Sequence, residues 1–221
     1  MNDPFYWHQL IPALNQGLVM TILLIIPAAL GGILMGLLVG SLRAYGGAIL
    51  KPLADSYAAL FRGTPLVVQL FTLYYGLPNL GIYFTPYSAA VLGFILCSGA
   101  YHSEYIRGSL FSIKKGQLAA AHALGFSTFK ALIWIIVPQA MRRALPGCGN
   151  EFIYLIKYSS LAYIVTCIEL TGSAKNVASL TFRFTEAFTV AGVYYLVMVT
   201  LATLALRKLE TKLAIPGFGQ G

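Results

Sequence analysis

Long apolar runs separated by short polar segments make up most of this sequence. The first run, residues 17–42, is long enough to cross about 30 Å of hydrocarbon as an α-helix. Four further runs of comparable character lie at residues 56–77, 87–106, 145–168 and 187–206. The pattern therefore predicts an all-α integral membrane protein with five spans, forming a single transmembrane domain over residues 1–221.

The first two predicted spans carry features that bear on helix packing. Four glycines recur on nearly one face of the first span, where small residues let a second helix approach closely. They are Gly31, Gly32, Gly36 and Gly40. The second span is broken at Gly63, Thr64 and Pro65, which frees backbone groups that need partners within protein or in a water-filled path. Two interpretations stay open: the break lines a transport route, or it is a kink packed by its neighbours.

Three segments outside the spans have predictions of their own. Residues 1–16 are expected along the outer membrane surface, since they contain aromatic rings that favour the interface. Residues 129–137 are apolar but too short to span, so they are expected on or partly in the membrane. Residues 169–186 mix charged, polar and apolar side chains and are expected to form a loop.

Composition supports a membrane protein and changes the meaning of the charge. Of the 221 residues, 58% are hydrophobic and 10% charged, whereas a soluble domain carries about a quarter charged residues. The net charge of +8 would suggest nucleic acid in a soluble protein, but here membrane topology explains it and no nucleic-acid partner is expected. No cleavable signal peptide is expected, because Asp3 and His8 precede the first apolar run without any Lys or Arg.

The basic residues are distributed asymmetrically about the predicted spans. Most follow the first, third and fifth spans, as Arg43 and Lys51, then Arg107, Lys114, Lys115, Lys130, Arg142 and Arg143, then Arg207, Lys208 and Lys212. The segment after the fourth span has only Lys175 and Arg183, which Glu169 and Glu186 balance. The N-terminal segment and the segment after the second span have no Lys or Arg. Because Lys and Arg stay in the cytoplasm, the pattern predicts an outside N-terminus and a cytoplasmic C-terminus.

The sequence contains no pattern typical of an enzyme or a metal site. There is no GxxxxGK[ST] phosphate-binding motif, and no arrangement pairs Ser, His and Asp. The three histidines, His8, His102 and His122, are isolated and expected to be ordinary interfacial residues. The three cysteines, Cys97, Cys148 and Cys167, are widely spaced and expected to be buried apolar residues. We therefore predict no catalytic and no metal-binding residues in this chain.

The segment GQLAAAHALGFSTFKALIWIIVP, residues 116–138, lies in the basic stretch of about 107–143. Residues 117–124 favour a short helix, because Ala and Leu lose little on becoming helical. Gly125 is expected to end that helix in the left-handed conformation. From the spacing alone, a connector helix and a surface for another protein's groove are equally acceptable interpretations.

This segment resembles the cytoplasmic "EAA" loop of ABC importer permeases. Ala120, Ala121, Gly125, Ile135 and Pro138 match that loop's pattern, while Ala119 stands where the family usually has Glu and Val137 where it usually has Leu. Three further stretches, at residues 62–78, 98–117 and 150–161, resemble the polar amino acid uptake branch (histidine, arginine, glutamine and glutamate permeases). The resemblance covers most of the chain from about residue 21 and implies a type I-like permease core in a bacterial inner membrane.

The resemblance implies a transporter with several partners. Two ATPase subunits would bind ATP and Mg²⁺, so this chain itself needs no cofactor, and an extracytoplasmic binding protein would deliver the amino acid. A helix over residues 116–127 would dock in a groove of the ATPase, through Ala119, Ala120, Ala121, Leu124, Gly125 and Phe126. Five spans are too few to enclose a path, which implies a second permease subunit. Because Ala119 replaces the usual acid, we favour a heterodimer over a homodimer.

Glu151 is the candidate substrate ligand. An ionised group within a span costs at least about 2.5 kcal/mol and by default marks a functional site. Tyr158 lies seven residues later on the same helix face, next to Asn150 and Tyr154. Together they are predicted to bind an α-amino acid, with Glu151 attracting the ammonium. The alternative is an ion pair between Glu151 and a neighbouring helix.

Three other charged residues receive structural predictions. Glu104 and Arg107 are three apart and are expected to pair at the inner end of the third span. Arg62 is expected to extend to the lipid headgroups.

In relatives that handle cationic amino acids, an Asp often stands where this chain has Tyr158, which argues against a basic substrate.

Two other functions are weighed against the importer. An ATP-independent carrier or channel would be expected to show inverted repeats with broken spans in both halves, and neither is evident in the sequence. A non-transporting membrane scaffold would have no need of Glu151 within a span. The sequence thus predicts a permease subunit of an importer and no enzymatic activity.

Overall fold

A computed structural model describes residues 3–213 of the chain, and all of the elements in that range are helical. A wide helical turn, Phe5–Leu10, leads into the first helix. The helices are α1 (Ile11–Tyr45), α2 (Leu50–Gly63), α3 (Leu66–Phe71), α4 (Pro86–Ser112), α5 (Lys115–Ala123), α6 (Thr128–Ala131), α7 (Val137–Tyr158), α8 (Leu170–Thr181) and α9 (Phe184–Leu213). Helix α1 packs along α4, α4 packs on α7, and α8 and α9 complete the bundle.

Two of the described helical stretches are long and apolar enough to cross a membrane alone. They are Phe5–Tyr45, with a mean hydropathy of 2.6, and α9, with 1.9. Thr128–Val165 and α8 would make a third span if the pair, bent by 51°, is counted as one. The predicted span over α2 and α3 is a broken helix, and the predicted span over α4 is a more polar helix. For these two, the position within the bundle is what indicates that they cross the membrane.

Two segments differ from their predicted form. Residues 5–16 are helical and continue directly into α1, so the surface-lying N-terminal segment is wrong where the structure describes it. The predicted loop over 169–186 is largely α8. Local composition missed α8 because its helix is stabilised by Glu169, which accepts hydrogen bonds from the N–H groups of Thr171 and Gly172 at 2.8 and 2.9 Å. Glu169 is fully buried and also accepts a hydrogen bond from the Tyr195 hydroxyl at 2.8 Å.

The glycines of α1 allow it to lie directly against α4, as predicted. A Cβ added to Gly32 would stand 2.9 Å from the Ser98 hydroxyl oxygen, and one added to Gly36 would stand 2.3 Å from the His102 Cβ. A real side chain at Gly36 would therefore force the two helices apart. The glycines bring the backbone of α1 close to the polar stretch of α4.

The break between α2 and α3 is closed by protein atoms. Thr64 is extended, with φ −106° and ψ 133°, and Pro65 follows it. The buried side-chain amide of Gln69 donates hydrogen bonds to the carbonyls of Phe61 at 2.8 Å and Thr64 at 2.9 Å. Of the two interpretations of this break, the structure supports a kink satisfied by its neighbours.

An ion-pair cluster ties α1, α2 and α4 together near the end of the bundle that carries α5. Arg43, which is buried, donates to Asp55 at 2.8 Å and to Glu104 at 2.9 Å. Arg62 and Arg107 also pair with Glu104. The predicted Glu104–Arg107 pair is confirmed, whereas Arg62 pairs with Glu104 instead of extending to the headgroups, because Glu104 lies within its reach across the α2–α4 contact.

Candidate functional site

Glu151 lies on the face of α7 that packs against α4, and only 2% of it is exposed. Its Oε1 atom is buried and has no hydrogen-bond partner among residues 3–213. The five ion pairs found in the described part of the chain do not include Glu151, so the alternative of an ion pair is not supported within this chain. A buried carboxylate oxygen without a partner is costly, which marks this position as a candidate site.

The other predicted ligands surround Glu151 unequally. Tyr154 and Tyr158 stack with ring centroids 5.9 Å apart, and Tyr158 lies within electrostatic range of Glu151. Asn150, by contrast, is exposed while Glu151 is buried, so the two adjacent side chains occupy different environments. Of the four ligands predicted from spacing, Glu151 is therefore buried and Tyr158 half-buried, whereas Asn150 and Tyr154 are exposed in this conformation.

Helix α4 contributes residues that the sequence pattern missed. The Ser98 side chain approaches the Glu151 carboxylate, Tyr105 lies near it as well, and Tyr101 lies near Tyr105 and Tyr158. His102, expected to be interfacial, is buried with 1% exposure. That expectation is wrong, because the glycine face of α1 covers the polar stretch of α4. The missed signal is the run of hydroxyl, imidazole and phenol groups at residues 98–105 within a predicted span.

Lys157 is the other charged residue near the end of α7. Its Nζ atom lies 4.2 Å from the centroid of the Tyr154 ring, a cation–π contact. It also lines a cavity of about 360 Å³ at the junction of α7, α8 and α9, with Ser160, Thr171 and Tyr195. Lys157 therefore lines the junction of α7, α8 and α9 and at the same time contacts Tyr154, one of the predicted ligands.

The candidate docking segment is an exposed helix with a well-defined end. Gly125 has φ +80°, as predicted, and its N–H donates to the His122 carbonyl at 2.9 Å. The Phe126 N–H donates to the Ala121 carbonyl at 3.0 Å. These two bonds form a Schellman motif, which stops α5 and turns the chain towards α6.

The exposed side chains of this helix narrow the predicted docking set. Ala119, Ala120 and Gly125 are exposed, Leu124 is 77% exposed and Phe126 is 37% exposed. Ala121 is 1% exposed, so it faces this chain and its assignment to a docking surface is wrong. One alanine of the row must pack inward because successive helical residues turn by about 100°.

Residues 32–215 match a family model described as the inner membrane component of binding-protein-dependent transport systems. The chain belongs to this family. Its membership confirms the resemblance to ABC importer permeases, and the chain is a membrane-spanning permease subunit of such an importer. The all-α permease architecture predicted from the sequence is confirmed as well.

Individual relatives and structures agree with this assignment. The chain is 36% identical over 207 residues to the glutamine transport system permease protein GlnP of Escherichia coli K12, covering 93% of this chain and 94% of that one. It is 35% identical over 213 residues to the octopine transport system permease protein OccM of Rhizobium radiobacter, covering 89% and 84%.

Two solved structures have the same fold. A structure described as an amino acid ABC transporter with histidines has 34% identity and a TM-score of 0.83, covering 91% of this chain and 94% of that one. An inward-facing MetNI methionine ABC transporter superposes with a TM-score of 0.81 over 97% of this chain and all of that one. Its identity of 18% supports the fold alone.

Proposed function

We propose that this subunit forms half of the translocation path of an ATP-driven importer for polar amino acids in a bacterial inner membrane. The observation that carries the proposal is the buried Glu151 carboxylate on α7, whose Oε1 atom has no hydrogen-bond partner among residues 3–213 and which lies near Tyr158, itself stacked on Tyr154. A carboxylate in this setting attracts the ammonium group that every α-amino acid carries. The named specificities of the relatives, among them glutamine, support an amino acid as the substrate class.

The same residues restrict the substrate further. Glu151 supplies one negative charge, and position 158 holds a tyrosine, whose hydroxyl is a neutral donor and acceptor. One acid satisfies the α-ammonium and leaves a cationic side chain without a second acid from α7. We therefore favour a substrate with an uncharged polar side chain over a basic one. Because Glu151 is 2% exposed, substrate reaches it only when α4 and α7 separate or the side chain turns outward.

The partners follow from the family and from α5. ATP and Mg²⁺ bind to two ATPase subunits, and the exposed face of α5, with Ala119, Ala120, Leu124 and Phe126, fits the groove of one of them. An extracytoplasmic binding protein delivers the substrate on the opposite side. The basic residues near α5, including Lys114 and Lys130, support a cytoplasmic position for this end and for the C-terminus, with the N-terminus outside.

A second permease chain completes the path, and we favour a heterodimer. Ala119 provides no charge at the start of α5, where an acid would gain about 0.3–1 kcal/mol from the helix dipole. A different permease chain would retain the acid at one of the two ATPase contacts. Full uptake by this chain reconstituted with its ATPase and binding protein, but no other permease, would establish a homodimer instead.

Glu151→Gln tests the substrate site in proteoliposomes that contain the complete transporter. The substitution keeps the shape and removes the charge, so assembly should survive. Uptake of radiolabelled L-glutamine, at a concentration below saturation, should fall by at least about tenfold, because a hydrogen bond to a charged group contributes about 1.5–3 kcal/mol. Glu210→Gln, near the end of α9, is the matched control and should transport normally. Loss of assembly in Glu151→Gln would identify Glu151 as a structural residue.

A further inference from the structure

His102 is held inside the bundle by contacts from two helices. It lies on α4, is 1% exposed, and its Cβ occupies the space left by the absent side chain of Gly36 on α1. An imidazole is rarely buried so completely without a polar role. Its hydrogen bonds indicate what that role is.

The ring nitrogen Nδ1 has a fixed protonation. It lies 2.8 Å from the backbone carbonyl oxygen of Ser98, and a carbonyl can only accept, so Nδ1 carries the proton and donates it. The Ser98 hydroxyl oxygen lies 3.0 Å from the same Nδ1 and therefore shares this N–H as an acceptor. The hydroxyl proton of Ser98 remains available for another acceptor.

The available acceptor is Glu151. The Ser98 side chain approaches the Glu151 carboxylate across the α4–α7 contact. An O–H group that donates to a carboxylate forms a short, charge-assisted hydrogen bond, which is stronger than a neutral one. The His102 N–H thus holds the Ser98 oxygen, and the Ser98 O–H is left to donate towards Glu151, with which it forms no complete hydrogen bond in this conformation.

We propose that His102 is a positioning residue for the substrate carboxylate, acting through the Ser98 hydroxyl. The inference rests on the proposed function, in which Glu151 receives the substrate's ammonium. His102 orients the Ser98 O–H towards one carboxylate oxygen and leaves Oε1, which has no partner within residues 3–213, for the ammonium. Without the His102 N–H, the Ser98 hydroxyl is free to turn to a backbone carbonyl of its own helix, as Ser103 does with Ala100.

A purely structural role for His102 fits the geometry less well. The ring lies close to the backbone of Cys148 on α7, but its buried Nε2 atom completes no hydrogen bond within the described part of the chain, which costs about 1–3 kcal/mol. An aliphatic side chain of similar size would fill the space beside Gly36 without that cost. The function of the imidazole is therefore the hydrogen bond from Nδ1 to the Ser98 hydroxyl oxygen.

The experiment compares three variants in the reconstituted transporter with its ATPase, partner permease and binding protein. His102→Leu removes the N–H, His102→Asn keeps an amide N–H near the position of Nδ1, and Ser98→Ala removes the linking hydroxyl. The control is His8→Leu, at an exposed histidine outside the bundle core. The measurement is the concentration dependence of radiolabelled L-glutamine uptake, with L-glutamate, L-arginine and L-histidine as further probes.

We expect His102→Leu and Ser98→Ala each to raise the half-saturating concentration about tenfold while changing the maximal rate less than twofold, the effect of losing one charge-assisted bond. His102→Asn should recover most of the affinity, and His8→Leu should behave as the parent. In a Glu151→Gln background, His102→Leu should have no further effect, because the group on which it acts is gone.

The outcomes separate this inference from the proposed function. If Glu151→Gln leaves L-glutamine uptake unchanged, the substrate site itself is misplaced and both proposals fail. If Glu151→Gln impairs uptake but His102→Leu does not, only the role of His102 is overturned. It is also overturned if His102→Asn gives no recovery, or if His102→Leu is equally harmful in the Glu151→Gln background. Should His102→Leu fail to assemble, Ser98→Ala and His102→Asn still decide the matter.

Discussion

The side-chain amide of Gln69 donates a hydrogen bond of 2.9 Å to the carbonyl of Thr64. It donates a second, of 2.8 Å, to the carbonyl of Phe61. Pro65 has no N–H to offer and the chain is extended at Thr64, so these carbonyls lose their partners in the helical ladder. Water is scarce inside a membrane, so the Gln69 side chain supplies the hydrogen bonds that the two carbonyls at the break between α2 and α3 would otherwise lack.

Gln69→Ala should therefore destabilise the subunit by about 1–3 kcal/mol, since two carbonyls lose their donor inside the protein. The measurement is the thermal unfolding midpoint of the detergent-solubilised transporter. Gln139→Ala is the matched control, because Gln139 donates to one carbonyl, that of Ile135, within its own helical stretch. Equal shifts for the two variants would show that the break finds other donors.

Glu104→Gln should loosen the contact of α1 and α2 with α4. Glu104 pairs with Arg43, Arg62 and Arg107, and the substitution leaves the buried Arg43 with Asp55 as its one acidic partner within residues 3–213, beside its hydrogen bond to the Ser103 hydroxyl. The expected loss is roughly 1–3 kcal/mol, less than for a fully buried pair because the Glu104 side chain is 30% exposed. Amide hydrogen exchange over α2 should rise. Glu210→Gln, at a residue with no ion pair among residues 3–213, serves as the control. Unchanged exchange in α2 would show that the cluster contributes little to this contact.

Gly36→Ala should separate α1 from α4. The added methyl group would stand 2.3 Å from the His102 Cβ, far inside van der Waals contact, and overpacking of this kind costs about 1–3 kcal/mol. Gly192→Ala on α9 adds the same methyl group, with no atom of the described chain within 4 Å. Unfolding midpoints of the two variants give the comparison. If the two variants unfold at the same midpoint, the close contact of α1 and α4 does not contribute to the stability of the subunit.

Gly125→Val should weaken association with the ATPase. Gly125 has φ +80°, and a β-branched residue in the left-handed region costs at least about 1–2 kcal/mol, so the turn that ends α5 would be lost. Co-purification of the ATPase with the tagged permease is the measurement. Gly47→Val, in the connection between α1 and α2, adds the same side chain where space is open and φ is ordinary. Normal recovery of the ATPase with Gly125→Val would exclude a role of this turn in docking.

Features that depend on neighbouring residues could be predicted from the sequence. The apolar runs, the break before Pro65 and the left-handed Gly125 follow from local chemistry: the cost of exposing backbone to lipid, the missing proline N–H, and the absence of a Cβ in glycine. The glycines of α1 also predicted a close contact with another helix, although the sequence did not identify that helix as α4. The acid at position 151 was recognisable because charges are rare within spans.

The direction in which each side chain faces was decided by contacts between distant parts of the chain. Asn150 and Glu151 are neighbours in sequence, yet one is exposed and the other buried, because α4 covers one side of α7. His102 is buried because Gly36, 66 positions earlier, makes room for it. The sequence predicts a loop at Glu169, because the hydroxyl that binds its carboxylate belongs to Tyr195 on another helix and is invisible to a local pattern. Such pairings depend on how whole helices pack, and no local pattern of residues encodes them.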